Sequence, residues 1–185
     1  MNKQATSTFV QVDLQNLFYG SRGKGQRLDF EKVWDHFYDR ENEFLIGATV
    51  YMIRSPAFDS SKFEMKLQRI GFKTVVRSVP SQEYQTYQAP TTHPVNHAVS
   101  ITVDCLDKLD AFDRWVLMSG DGEFAPLCKY VRSKGKTVEV WGFQENHDPA
   151  LDPHVNRVRY IGNAFFYRKP QISVFGFNNF GEGNL

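Results

Sequence analysis

The chain has 185 residues, a length that suits one domain with a full hydrophobic core. Hydrophobic residues make up 41% of the chain, charged residues 23% and aromatic residues 15%, and this composition excludes a disordered protein. The formal net charge of +1 creates no overall field that would attract nucleic acid, so such a partner would need a local basic patch.

The cysteines and the N-terminus indicate a reduced, cytoplasmic protein. Cys105 and Cys128 are the two cysteines of the chain; two residues without close spacing argue against both a metal knuckle and a disulfide scaffold. The first seven residues lack the apolar core of a signal peptide, and no apolar run approaches the length needed to cross a membrane. We therefore expect a cytoplasmic protein without a membrane partner.

Strand and helix patterns alternate along the chain. The first half predicts a strand at 9–12, a glycine-rich basic loop at 19–27, an amphipathic helix at 30–38, a strand at 44–53, a helix at 60–70 and a strand at 72–79. A polar loop without periodicity follows at 80–94. The second half predicts a strand at 115–118, a helix through 124–131, a strand at 136–142 and a short strand at 158–161. This alternation indicates an α/β domain with a largely parallel sheet.

A further helix is predicted at 95–109. Its apolar residues recur at helical spacing and would form the buried face; they are Val95, Val99, Val103, Leu106 and Leu109. Asp104 lies in the same helix, next to this face, where an aspartate is unfavourable because its side chain competes for backbone hydrogen bonds. Something in the fold is therefore expected to compensate for Asp104.

Acidic residues end two of the predicted strands. The first strand ends at Asp13, with Asn16 three residues later, and the fourth ends in the segment Ser-Gly-Asp-Gly-Glu at 119–123. The first and fourth strands of such sheets commonly lie side by side, and ligands bind in the crevice at their carboxyl ends. We expect Asp13 and Asp121 to face each other across this crevice.

Asp13, Asp104 and Asp121 together would form a cluster that needs compensation. Carboxylates about 5 Å apart repel by about 3 kcal/mol per pair at an effective dielectric constant near 20. Protons, basic partners or a divalent cation would relieve this, and all-oxygen ligands suit Mg²⁺ or Mn²⁺, which can support phosphodiester hydrolysis. An Asp-Gly pair after a strand is equally typical of a turn, and Asp121 or Glu123 of a helix cap.

Four sequence blocks resemble the NYN domain. They are Val-Asp-Leu-Gln-Asn at 12–16, Ile-Thr-Val-Asp at 101–104, Leu-Met-Ser-Gly-Asp-Gly-Glu-Phe at 117–124 and Gly-Lys-Thr-Val-Glu-Val at 135–140. The resemblance extends from about residue 9 to 166 and is strongest to the LabA-like branch of the PIN-like nuclease superfamily. It implies one Rossmann-like domain over residues 1–169, with five to six mostly parallel strands flanked by helices. A C-terminal aromatic tail follows at 170–185.

The resemblance also implies a function, namely a divalent-metal-dependent endoribonuclease that hydrolyses RNA phosphodiester bonds. Asp13, Asp104 and Asp121 match the family's acids and would hold Mg²⁺ or Mn²⁺, directly or through water. Asn16 matches the polar residue after the first acid, and Glu123 stands where the family more often has aspartate. Both would orient the attacking water or the surroundings of the ion.

One departure from the family pattern weakens this implication. LabA-like members usually carry another aspartate six residues before the position of Asp104, where this chain has Ala98. A methyl group cannot bind an ion, so Asn96, Ser100 or a water would have to substitute. The alternative is a catalytically impaired NYN domain that binds RNA or protein as a regulator; a small-molecule or nucleotide-binding module is a third class.

Basic residues near the predicted site would neutralise RNA phosphates without reading the sequence. They are Arg22, Lys24 and Arg27 in the loop after the first strand, and Arg54 at the end of the second. Tyr19 and Tyr51 could stack on unpaired bases, although each residue alone is as well explained by a solvated charge or a core aromatic. We expect RNA with single-stranded or loop regions as the partner, and the aromatic tail leaves open a homo-oligomer or a protein partner.

Overall fold

The computed structural model describes residues 5–22, 27–38, 42–54, 60–79 and 96–167. Its strands are β1 (Thr6–Asp13), β2 (Glu43–Arg54), β3 (Lys73–Ser78), β4 (Arg114–Met118), β5 (Thr137–Gly142) and β6 (Arg157–Tyr160). They form one six-stranded sheet in the order β3-β2-β1-β4-β5-β6, and each neighbouring pair is parallel. The predicted α/β class with a parallel sheet is confirmed.

Helices cover both faces of this sheet. They are α1 (Leu14–Arg22), α2 (Phe30–Tyr38), α3 (Ser61–Ile70), α4 (Ala98–Asp107) and α5 (Ala125–Ser133). Successive side chains of a strand point to opposite faces. Val10 of β1 therefore packs in one core with α1, α2 and α3, whereas Phe9 packs in the other with α4 and α5. Burial on both faces accounts for the continuous apolar runs of the central strands.

Helix α1 begins directly after Asp13, in a segment for which the sequence predicted no helix. Tyr19 and Arg22 consequently belong to α1, and not to a loop that starts at residue 19. Gly20, a poor helix former, lies against the segment after β5: an added Cβ would come within 2.5 Å of the Phe143 ring. Close tertiary packing thus outweighs the low helix propensity of glycine here.

Helix α4 turns a different face to the core than the sequence predicted. Ile101 and Cys105 are fully buried, whereas Val99 of the predicted face is 76% exposed and Val103 and Leu106 are exposed as well. The helix carries two apolar stripes, and periodicity alone cannot choose between them. The observed orientation buries Ile101 and Cys105 in the core and also lets the Asp104 carboxylate accept a hydrogen bond from a tyrosine of the sheet. The predicted face was therefore wrong.

Some predictions fall on residues outside the described ranges. They include the loop at 80–94, Val95 at the predicted start of α4, and the tail at 170–185 with its boundary at residue 169. Within the described ranges, no helix is long and apolar enough to cross a lipid bilayer.

Candidate active site

The candidate site lies where the order of strands along the sheet reverses. β1 and β4 are neighbours, with Val12 of β1 opposite Met118 of β4. β1 leads outward to β2 and β3, and β4 leads outward to β5 and β6, so a crevice opens at their carboxyl ends. Asp13 ends β1 at this point, and the hydroxyl of Ser119, just after β4, donates to Asp13 Oδ2 at 3.2 Å. The predicted meeting of the two strand ends is therefore present.

Asp13 is a buried acid. Its residue surface is 4% exposed, and its Oδ1 accepts a hydrogen bond of 3.2 Å from the Asn16 backbone N–H. Burial raises the pKa of Asp13 from its ordinary value of 3.8 to about 6, although the hydrogen bonds from Asn16 and Ser119 lower it in part. The negative charge of Asp121 raises it further. The two carboxylates are thus close enough to repel each other.

Asp121 organises the turn that follows β4. Its Oδ1 accepts from the Glu123 backbone N–H at 2.9 Å and caps the short 3₁₀ turn Gly122–Phe124. Its own backbone N–H donates to the Ser119 hydroxyl at 3.2 Å. The capping role considered from the sequence is therefore real, and it coexists with the electrostatic contact to Asp13.

Asn16 joins three distant segments at the crevice. Its Oδ1 accepts from the Gly120 backbone N–H at 2.7 Å and from Asn146 Nδ2 at 3.0 Å. Asn146 Nδ2 also donates to the Asn16 carbonyl at 3.0 Å. Gly120 permits this close approach, because an added Cβ would lie 2.5 Å from the Asn146 carbonyl oxygen. Asn16 thereby ties α1 to the turn after β4 and to the segment after β5.

Asn146 was missed from the sequence. It lies four residues beyond Gly142, the last residue of β5, and β5 is the neighbour of β4 in the sheet. The rule that polar residues at the carboxyl ends of adjacent parallel strands share one crevice was applied to the first and fourth strands. Its extension to the fifth strand would have indicated Asn146.

Asp104 lies on α4, above the same face of the sheet as Asp13. The Tyr51 hydroxyl donates to Asp104 Oδ2 at 2.7 Å, and Tyr51 is the register partner of Asp13 between β2 and β1. Gln11 Nε2 donates to the Tyr51 hydroxyl and Gln11 Oε1 accepts from Trp115 Nε1 at 2.8 Å. This buried chain of hydrogen bonds is the compensation that an aspartate within α4 requires.

Tyr51 is fully buried. Burial, together with the bond to Asp104, raises the pKa of Tyr51 far above its usual range, so the phenol stays neutral and serves as a donor. A ring without exposed surface cannot stack on a base, and the predicted stacking role of Tyr51 was wrong.

The predicted set of Asp13, Asp104 and Asp121 does not form a closed ligand cage. Within the described residues, no group of three or more His, Cys, Asp or Glu side chains could hold a metal ion. Asp13 and Asp121 are both linked to Ser119, whose hydroxyl donates to Asp13 and accepts from the Asp121 backbone N–H, whereas Asp104 accepts a hydrogen bond from Tyr51. This pair still fits a divalent cation, because a cation would offset both the burial of Asp13 and the repulsion from Asp121. Mg²⁺ is commonly held by one or two carboxylates with waters.

The surroundings of the missing acid contain an amide. Asn96 precedes α4, and its Nδ2 donates to Glu123 Oε2 at 3.3 Å. Its Oδ1 accepts from the Ala98 backbone N–H at 3.3 Å. Asn96 therefore stands between Ala98, where the family usually has an acid, and Glu123 of the glycine turn.

Of the four predicted basic residues, the structure describes the side chains of Arg54 and Arg27. Arg54, at the end of β2, forms an ion pair with Glu64 of α3, and this pair partly neutralises the positive charge of Arg54. Arg27 is exposed. The side chain of Arg22 and the whole of Lys24 lie outside the described part of the chain.

The comparisons with known proteins agree with this geometry. The family model of the NYN domain matches residues 7–160. The low amplitude and bright protein LabA of Synechococcus elongatus is 23% identical over 131 residues, which cover 71% of this chain and 70% of LabA. The crystal structure of a protein of unknown function, VPA0982 from Vibrio parahaemolyticus, has the same fold. It matches with a TM-score of 0.76 at 21% identity, over 90% of this chain and 99% of that chain. The chain therefore belongs to the NYN domain family, as the motifs in its sequence indicated.

Proposed function

We propose that this NYN domain is a divalent-metal-dependent endoribonuclease that hydrolyses RNA phosphodiester bonds at the carboxyl ends of β1 and β4. One observation carries the proposal: the carboxyl of Asp13 is buried at the strand crossover and accepts from Ser119, which begins the turn that carries Asp121. A buried carboxyl with a perturbed pKa and a charged neighbour in a crevice marks a candidate functional site. Membership in the NYN family, which resembles PIN-like nucleases, supports the same reaction.

Asp13 and Asp121 would hold Mg²⁺ or Mn²⁺ in this proposal. The bound ion would supply a water of lowered pKa and stabilise the charge that develops on the phosphate. Asp13 is suited to this role because its carboxylate is poorly solvated and gains the most from a nearby cation. Asp104 would act directly through Oδ1 or through water, while its Oδ2 accepts from the Tyr51 hydroxyl.

The polar residues around these acids would have separate roles. Asn16 uses its Oδ1 to hold the Gly120 backbone and Asn146, so we assign it the positioning of the turn that carries Asp121. Glu123 is exposed and accepts a hydrogen bond from Asn96. We assign to this solvent-facing carboxylate the orientation of the attacking water and the acceptance of its proton.

RNA phosphates would be neutralised by Arg22, the last residue of α1, and by Lys24 and Arg27, which follow it in the sequence. Arg54 would contribute less, because Glu64 already pairs with it. The site of action would be the cytoplasm, where Cys105 and Cys128 stay reduced.

The test is RNA cleavage under defined metal conditions. Single-stranded and structured RNA would be incubated with the protein in Mn²⁺, Mg²⁺ or EDTA, comparing wild type with Asp13→Asn and Asp121→Asn. Asp110→Asn, on the exposed turn after α4, is the matched control. We expect metal-dependent cleavage that falls at least about 100-fold in the two site variants and is unchanged in the control. Absence of cleavage in every metal, or equal cleavage by Asp121→Asn, would refute the nuclease.

Two observations favour the alternative of a catalytically impaired domain that binds RNA or protein as a regulator. Ala98 occupies the position of a family acid, and no group of three acids among the described residues is arranged for a metal. This alternative predicts RNA binding without cleavage, at an affinity that Asp121→Asn leaves unchanged. The same set of proteins therefore separates the two functions.

A further inference from the structure

Two large aromatic side chains lie next to each other on the outer face of α1. Phe18 is 59% exposed and Tyr19 is 54% exposed, and their rings meet edge to face with centroids 5.9 Å apart. The inner face of the same helix is closed by Leu17, which is buried, and by Gly20, which lies against Phe143. The pair therefore presents aromatic surface to solvent that the domain core does not use.

The position of this pair relates it to the candidate active site. α1 begins immediately after Asp13, and a helix rises 1.5 Å per residue, so Phe18 and Tyr19 lie about 8 Å along the axis from that acid. A few nucleotides span such a distance. A strand whose phosphate sits at Asp13 could therefore place neighbouring bases against these rings.

The charge of this segment is suited to a nucleic acid. From Leu14 to Leu28 the sequence carries three basic residues and no acidic residue, although the whole chain has a net charge of only +1. Aromatic rings that stack on bases, flanked by cations that track the phosphates, are the usual means of binding single-stranded nucleic acid.

We propose that Phe18 and Tyr19 form a stacking platform for unpaired bases of an RNA strand that lies across the crevice. This inference rests on the proposed function for the identity of the ligand, and it assigns the recognition of the expected single-stranded or looped RNA to these two side chains. Bases in an A-form helix are already stacked on each other and cannot be splayed onto side chains without loss of pairing.

The test measures binding separately from cleavage. Affinity for a labelled single-stranded RNA, and for a duplex of the same sequence, would be measured by fluorescence anisotropy in EDTA. Quenching of an aminopurine base within the single strand reports stacking directly. The variants are Phe18→Ala, Tyr19→Ala and the corresponding leucine substitutions, which keep apolar bulk without an aromatic face. Tyr38→Ala is the control, because Tyr38 is also an exposed aromatic residue, 65% exposed at the end of α2. Helix α2 ends shortly before β2 begins, so Tyr38 lies near the amino-terminal ends of the strands, away from the candidate site.

We expect each alanine or leucine substitution to weaken single-strand binding about 5- to 100-fold and to reduce the quenching, because one of the two rings is lost. Tyr38→Ala should bind like wild type, and the duplex should bind more weakly than the single strand. Unchanged affinity in the Phe18 and Tyr19 variants, full retention in the leucine variants, or equal binding of the duplex would overturn the platform. An unchanged urea midpoint in each variant would establish that the fold is intact.

The results also separate this inference from the proposed function. If wild type cleaves RNA with a metal but RNA binding does not depend on the Phe18 and Tyr19 rings, the stacking proposal is refuted and the nuclease proposal is supported. Ring-dependent binding without cleavage would remove the nuclease and keep the platform. Failure to bind RNA at all would remove both.

Discussion

Replacement of Asp13 by asparagine is expected to stabilise the metal-free protein while it abolishes cleavage. The carboxyl is 4% exposed, and burial raises its pKa from 3.8 to about 6. A group whose pKa is higher in the folded state stabilises the fold in its protonated form, so this stability is complete below pH 3.8 and is lost as the pH rises to about 6 and beyond. At neutral pH, folding must therefore bury a charge that the unfolded chain leaves in water.

The magnitude follows from the two pKa values. At about 1.36 kcal/mol per pKa unit, the difference between 3.8 and about 6 corresponds to about 3 kcal/mol at pH 7.5, and to about half of that at pH 5. Asparagine carries no charge; its one oxygen can accept from the Asn16 backbone N–H, and its NH2 group, in place of Oδ2, can donate to the Ser119 hydroxyl oxygen. In a chain of this length, about 3 kcal/mol raises the melting temperature by about 6 to 12 °C.

Urea unfolding in EDTA at pH 5 and pH 7.5 measures this effect, with Asp110→Asn as an exposed control that should stay within about 0.5 kcal/mol of wild type. The reasoning is refuted if Asp13→Asn is no more stable than wild type at pH 7.5. It is equally refuted if the gain does not increase between the two pH values, since a pH-independent gain cannot come from the buried charge.

The remaining predictions concern the hydrogen-bond chain, the glycine turn and the ion. Tyr51→Phe deprives the Asp104 carboxylate of its donor and should cost about 1 to 3 kcal/mol in urea unfolding; an unchanged midpoint would show that the bond is not needed. Gly120→Ala places a Cβ 2.5 Å from a backbone oxygen and should cost about 1 to 3 kcal/mol, whereas Gly162→Ala, with nothing within 4 Å, should change stability by less than about 0.5 kcal/mol; similar losses at both glycines would contradict the steric account. Mn²⁺ at about 100 times its dissociation constant should stabilise wild type by about 2.7 kcal/mol and raise its melting temperature by about 5 to 11 °C. It should stabilise Asp121→Asn less. An unchanged melting temperature of wild type in Mn²⁺ would argue against a metal site.

The part of the site that could be predicted from the sequence depends on strand ends. Buried parallel strands read as apolar runs, so the residues at which β1 and β4 stop are visible in the sequence. The crossover rule then brings Asp13 and the turn with Asp121 to one crevice, as the contact between Asp13 and Ser119 confirms. The adjacency of these two strand ends could be predicted because the local sequence pattern and the rule of topology agree on it.

The parts that could not be predicted depend on long-range side-chain contacts. Both apolar stripes of α4 satisfy helical periodicity, and the contacts that distinguish them are long-range: the core packing of Ile101 and Cys105 and the hydrogen bond from Tyr51, 53 residues away, to Asp104. The start of α1 was missed because Gly20 signals a loop locally, and its reason for being in a helix is the close packing of Phe143. Neither Tyr51 nor Phe143 lies in the sequence window from which the local structure was predicted.

The three-way contact at Asn16 makes the site a late product of folding. Asp13 meets Ser119 across 106 residues, and Asn16 meets Asn146 across 130. Contacts between residues so far apart in sequence form slowly, because the entropy of the intervening chain is lost before the contact contributes any stabilising free energy. A ribosome-bound chain therefore has no assembled crevice until residue 146 has emerged, and a partly folded protein lacks the paired strand ends on which cleavage would depend. Recovery of the site after denaturation should accordingly follow the last folding step of the whole domain.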